Sequence, residues 1–127
     1  MLTIAIPLYN RPHLSQQVIN EVFREPLDFG YVASRDCVKV IISVDAGGSA
    51  PSLVYDTYGT EVQVIHHQGR QMGINQHILW LLRHARHQGS SHTLLIEEDT
   101  VPQLNWRDII AEKLTRHDID ALALHPD

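Results

Sequence analysis

A single cysteine, Cys37, excludes an intramolecular disulfide from this chain of 127 residues, so a reducing compartment is the default and stability must come from a packed core. Cys37 precedes an apolar run and is expected to be packed, because no neighbouring group in the sequence would stabilise a thiolate. No apolar run approaches the ~20 residues of a membrane-spanning helix. Leu2-Thr3-Ile4-Ala5-Ile6 carries no basic leader and is too short for the apolar centre of a signal peptide, so a cytoplasmic protein without an integral membrane segment is expected. Basic clusters are also missing. Ten Lys and Arg against 15 Asp and Glu leave a net charge of −5, which argues against nucleic acid as a partner but not against small anionic ligands. There is no repeat, low-complexity segment or linker, no G-x-x-x-x-G-K-[ST] phosphate loop and no G-x-G-x-x-G dinucleotide turn. At this length and with ordinary hydrophobic content, residues 1–127 are expected to form one domain around one core.

What is present is an alternation of strand and helix signals. Leu2 to Leu8 reads as a first strand that Pro7 ends, and Tyr9-Asn10-Arg11-Pro12 as a turn in which Asn10 caps a helix begun by Pro12. Leu14, Val18, Ile19, Val22 and Phe23 recur at helical spacing until Pro26. Val38 to Val44 is a second strand rich in β-branched residues. Asp45 to Ser49 is a turn, Pro51 to Tyr58 a short helix closed by Gly59, and Val62 to Ile65 a third strand. A helix from about Ile74 to His87 should turn Ile78, Leu81, Leu82 and Ala85 inward and end at Gly89. The apolar run Thr93 to Ile96 is a fourth strand, Trp106 to Arg116 looks helical, and Ala121 to Leu124 offers a fifth strand. This order predicts an α/β fold with a mostly parallel sheet.

In such sheets ligands sit outside the carboxyl ends of the strands. That rule collects scattered polar residues on one edge. Asn10 and Arg11 follow strand one, Asp45 strand two, Arg70 strand three, and the triplet Glu97-Glu98-Asp99 strand four, just before Pro102. Taken singly, an acidic triplet more often opens a solvated loop, Arg11 and Arg70 more often carry surface charge, and Asp45 more often serves a turn. Their shared edge argues for a site. Three adjacent carboxylates repel one another unless a cation or donors hold them. A hard divalent ion shared with phosphate oxygens, with guanidinium groups nearby, suits a diphosphate. Asp45 could then accept a hydrogen bond from a base or sugar.

The order of these segments resembles the nucleotide-binding half of GT-A glycosyltransferases, both the family-2 enzymes and the N-acetylglucosaminyltransferase I type. Ile6-Pro7-Leu8-Tyr9-Asn10-Arg11-Pro12 is similar to their first-strand "IPxYNR" opening. Ser43-Val44-Asp45-Ala46-Gly47-Gly48 is similar to the segment whose Asp meets the nucleotide base, and Gly69 to Asn75 to the loop that opens the helix before the metal motif. Leu95-Ile96-Glu97-Glu98-Asp99 is similar to the DXD motif, with Glu in place of its first Asp. The resemblance spans most of residues 2–107. It implies a nucleotide-diphosphate sugar as donor, with a UDP-sugar favoured, and Mn²⁺ or Mg²⁺ as cofactor. It places Asp99 as the direct metal ligand, Glu98 at the ribose, Glu97 in support and Arg11 at the diphosphate. Pro7, Tyr9, Asn10, Asp45 and Arg70 complete the expected donor site. In the family the segment after the metal motif supplies the acceptor pocket and, in inverting members, the catalytic base. Here the chain stops soon after that motif, so the fold reads as a truncated GT-A domain. None of Asp118, Asp120, His125 and Asp127 can be matched to the base, so no catalytic residue is assigned and the acceptor is unknown. Alternatively, the chain is a non-catalytic nucleotide-binding module, or a subunit whose partner chain or second copy completes the acceptor site.

Other chemistries fit less well. Asp99-Thr100-Val101 is shared with haloacid-dehalogenase-type phosphatases, but their nucleophile would fall on Glu97 and after the first strand. A sugar-phosphate nucleotidyltransferase would need a basic, Gly-rich loop where Tyr9-Asn10-Arg11-Pro12 stands. Among nine histidines, His84 and His87 share a helical face with Trp80, without H-E-x-x-H spacing or a thiolate to support zinc. Trp80 and Trp106 are expected to pack rather than to act as stacking platforms.

Overall fold

The structure, a computed structural model, describes residues 1–30, 37–49, 56–114 and 121–123. The elements run β1 (Leu2–Leu8), α1 (Pro12–Val22), β2 (Val38–Val44), β3 (Glu61–His66), α2 (Ile74–His87), β4 (His92–Leu95), α3 (Trp106–Lys113) and β5 (Ala121–Ala123). The five strands form one sheet in the order β3-β2-β1-β4-β5, and every pairing is parallel. The sheet grows in one direction from β1 to β3 and in the other from β4 onward. At that reversal the loops after β1 and β4 diverge and open a crevice at the carboxyl ends.

Alternation of side chains along the strands divides the core in two. Ile4, Ile6, Val40, Ile42, Leu94 and Ile96 turn toward Val18, Ile19 and Val22 of α1 and Trp106 and Ile110 of α3. On the other face Ala5 and Ile41 meet Leu81 and Ala85 of α2, flanked by Ile65, Trp80 and Leu95. Trp106 is a packing residue: it is buried in the larger cluster and its indole N–H donates to Glu21 Oε1 at 3.2 Å. Trp80 is likewise packed, stacked on His84 at 4.7 Å with the His67 ring edge-on at 4.3 Å.

β1 has the expected bounds, Leu2 to Leu8, with Pro7 as its penultimate residue and Leu8 in register with Val44. Asp45 N–H donates to Leu8 C=O and Ile96 N–H to Ala5 C=O, so even residues of β1 face β2 and odd residues face β4. Pro7 therefore lacks the N–H that would have carried the β4 ladder one step further, and β4 is released into its loop beside a continuing β1. Several expectations are corrected. The α1 N-cap is Arg11 rather than Asn10, with Pro12 in the first turn and no side-chain cap. The buried stripe of α2 is His77, Leu81 and Ala85, while Ile78 and Leu82 lie on its half-buried shoulder. Cys37 is exposed, because it lies just before the first inward residue of β2. Most of the proposed helix from Pro51 to Tyr58, and Arg116 and Leu124, lie outside the described residues. Among the described residues no helix is long and apolar enough to cross a membrane.

Candidate functional site

The parallel order brings the ends of β1, β2, β3 and β4 to one edge, and backbone bonds stitch their loops together. Ser49 N–H donates to Tyr9 C=O and Gly48 N–H to Asp45 C=O, both at 2.9 Å, and His67 N–H donates to Val44 C=O at 3.0 Å. Between the loop after β1, the start of α2 and the loop after β4 lies a cleft of about 300 Å³. It is lined by Tyr9, Arg11, Gln71, Gly73, Ile74, Glu97, Glu98 and Asp99. Five of the nine expected site residues thus share one wall system. The cleft sits at the small end of the range for ligand pockets, about 300–1,000 Å³.

The acidic triplet is split by environment. Glu98 is buried and its Oε2 accepts the Tyr9 N–H at 3.0 Å, which ties the end of β4 to the end of β1. Asp99 is exposed and lies 3.6 Å from Arg11, with side-chain exposures of 50% and 62%. A pair this exposed contributes at most about 1 kcal/mol, so both partners can be reassigned to a ligand at little loss. Glu97 is half-buried on the same rim. Among the described residues no three His, Cys, Asp or Glu side chains converge as a metal cage. Glu97 and Asp99 are the two carboxylates of the rim with exposed oxygen that a cation could contact. Tyr9 feels the same charges: burial first, then Asp45, Glu97 and Glu98, push its phenol up to about 12. Its hydroxyl is buried without a hydrogen-bond partner among the described residues.

Asp45 is placed differently from the expectation of a base contact. It is 1% exposed, and its carboxylate accepts the N–H groups of Ala46 at 2.8 Å, Met72 at 3.0 Å and Gly73 at 3.0 Å. Burial is the largest influence and raises its pKa, but the three donors and nearby His77 outweigh it and hold Asp45 below the usual carboxylate value. In this conformation Asp45 is the latch that fixes the loop before α2. Gly73 enters α2 at φ +81, a backbone geometry that glycine adopts without the penalty of a Cβ. Asn10 Oδ1 accepts the Ser49 hydroxyl at 3.0 Å and lies outside the cleft lining, as do buried Pro7 and exposed Arg70.

Sequence reasoning quoted the Gly69–Asn75 loop as a motif but gave Gln71, Gly73 and Ile74 no role at the site, and it did not single out His77. Their signal was the end of the glycine-bearing loop and a histidine four residues before Leu81 on the buried stripe of α2. Asp118, Asp120, His125 and Asp127 lie outside the described residues. Compared with known proteins, the chain matches no protein-family model, no curated protein and no solved structure.

Proposed function

We propose that the cleft binds a nucleotide-diphosphate sugar with Mn²⁺ or Mg²⁺, and that the chain is a glycosyltransferase-type protein acting on that donor. The observation that carries this reading is the weak Arg11–Asp99 pair on the rim of the cleft. A cation taken up at Asp99 and Glu97 releases Arg11, which then faces the diphosphate with its planar donors. The metal would supply charge neutralisation for the leaving diphosphate. Glu98 keeps one oxygen on the Tyr9 N–H and can offer the other to a ribose hydroxyl. UDP is the favoured nucleotide from the motif resemblance, and Asp45 would support the site by fixing the Gln71–Ile74 wall rather than by touching the base.

A second reading is favoured by one feature: among the described residues the cleft contains no carboxylate beyond the triplet that could serve as a base. The chain would then bind the donor without turnover, or depend on a partner for the acceptor side. Thermal melts with UDP, GDP, ADP and their sugar conjugates, with and without Mn²⁺, test the binding step common to both. Ligand at ~100 times its dissociation constant should stabilise the fold by about 2.7 kcal/mol, and only with metal present. A metal-independent shift, or none with any nucleotide, contradicts the proposal. Hydrolysis or transfer of the stabilising sugar nucleotide by the isolated chain separates enzyme from module.

A further inference from the structure

Directly behind the cleft is a buried polar cluster that the nucleotide reading does not use. His77 is fully buried in the first turn of α2. Its Nε2 lies 2.8 Å from Ser43 Oγ, and Ser43 Oγ also lies 2.8 Å from His67 Nε2. The His77 ring meets Tyr9 edge-on at 5.3 Å and His67 at 5.4 Å. Its Nδ1 is buried with no partner among the described residues. The Ser43–His77 contact has the form of a nucleophile and its base, but both residues are 0% exposed, so no substrate reaches them.

The hydrogen bonds fix the protons. A serine hydroxyl carries one proton, so one imidazole donates to Ser43 and the other accepts from it. An orphaned N–H in the interior is rarer and more costly than a bare lone pair. The unpartnered Nδ1 of His77 is therefore the unprotonated nitrogen. His77 Nε2–H donates to Ser43, and the Ser43 hydroxyl donates to His67 Nε2, a tautomer assigned from the network.

We infer that His77 is a positioning residue of the cleft: its neutral imidazole holds together, from behind, the two walls that meet there, Tyr9 after β1 and the Gln71–Ile74 entry to α2. The inference rests on the reading that the cleft takes a ligand. The groups facing His77 are Ser43 and Asp45 from β2 and its turn, Tyr9 after β1, and His67 after β3. A second proton would put an N–H on Nδ1 where no acceptor waits. Burial, against the opposing pull of Asp45 and with the help of His67, keeps the His77 pKa below its ordinary 6.5. Among the described residues Asp45 is the carboxylate acting on it, and Asp45 already holds Met72 and Gly73. An imidazolium there carries an unsatisfied Nδ1–H in the interior, and the packing of α2 against Ser43 and Tyr9 loosens, taking the Asp45 latch on Met72 and Gly73 with it. The unfolded chain takes up this proton below about 6.5 while the native state resists it, so the contribution to stability is full above that value and is lost as pH falls through the depressed native pKa.

The test is amide hydrogen exchange at Met72 and Gly73 in the full chain at about pH 7.5 and about pH 5.5, corrected for intrinsic rates. Protection at both amides should fall several-fold in acid. The His77 ring resonances and the two amide shifts should titrate with one midpoint. His77→Gln, which keeps a donor for Ser43 but takes no proton, should show protection that does not change with pH. UDP with Mn²⁺ should lose more affinity in acid for the wild type than for His77→Gln. Acid-sensitive protection without UDP binding leaves the positioning role standing and removes the nucleotide reading instead. Protection that ignores pH in the wild type, separate midpoints, or the same pH response in a folded His77→Gln overturns the inference.

Discussion

Asp45→Ala is expected to destabilise the fold by about 3 kcal/mol at neutral pH. A carboxylate accepting three N–H groups makes charge-assisted bonds, each of about 1.5–3 kcal/mol net. The sum is not realised in full, because Met72 is half-buried and Gly73 exposed, so their N–H groups regain water in the variant. Ala46 N–H is buried and does not. Asp45→Asn should fall between, since its amide presents one acceptor and turns a donor toward another donor. The acid response gives the sign. The native pKa of Asp45 is lowered from 3.8, so its stabilisation is present above that value and is lost as pH falls through the native one. Chemical denaturation across an acid series should show the gap between wild type and Asp45→Ala narrowing below about pH 4. A gap that stays constant in acid would mean that Asp45 acts through packing and not through its charge.

Gly48→Ala should be nearly as damaging, for a reason of space. A Cβ there would lie 1.9 Å from Tyr9 O, 2.9 Å from Tyr9 C and 3.0 Å from Asp45 O. All three are backbone atoms, and the crossing is fixed by the bonds Ser49 N–H to Tyr9 C=O and Gly48 N–H to Asp45 C=O. Neither loop can yield without breaking the other, so the loss should reach about 3 kcal/mol, the upper end for overpacking. Because Tyr9 is a wall of the cleft, nucleotide binding should weaken with stability. Gly47→Ala is the control. Its φ is +80 but nothing lies within 4 Å of the added carbon, so it should cost only the backbone preference, about 1–2 kcal/mol. Equal losses for the two variants in denaturant titrations would show that the close approach at Gly48 does not govern this corner.

The sheet and the edge that carries the cleft were legible in the sequence for local reasons. Val38 to Val44 is a run of β-branched and apolar residues buried throughout, and α2 begins and ends where its periodicity and flanking glycines place it. The rule that ligands meet the carboxyl ends of parallel strands put Arg11 and Glu97 to Asp99 on one edge, and the four line one cleft. What failed depended on partners distant along the chain. Asp45 reads as an open turn residue until Met72 and Gly73, 27 and 28 residues later, claim its oxygens. Nothing local marks Glu98 as the buried member of the triplet until the Tyr9 N–H, 89 residues away, draws it inward. A polar residue on an apolar stripe misleads in the same way. Ile78 is the more hydrophobic choice for the inner face of α2, yet His77 occupies it, because Ser43 supplies a hydrogen bond and the Tyr9 and His67 rings supply edges.

Titration calorimetry of wild type and Asp99→Asn with UDP, with and without Mn²⁺, tests the central claim most directly. Asp99 is the exposed member of the triplet, paired only weakly with Arg11, and a direct contact with a hard cation cannot be replaced by a neutral amide without large loss. The wild type should bind UDP with Mn²⁺ at least tenfold more tightly than without it, a difference of about 1.4 kcal/mol or more. Asp99→Asn should lose that metal dependence while its apo melting curve stays within about 0.5 kcal/mol of the wild type. Undiminished metal-dependent binding by Asp99→Asn would contradict the assignment of the metal to this cleft.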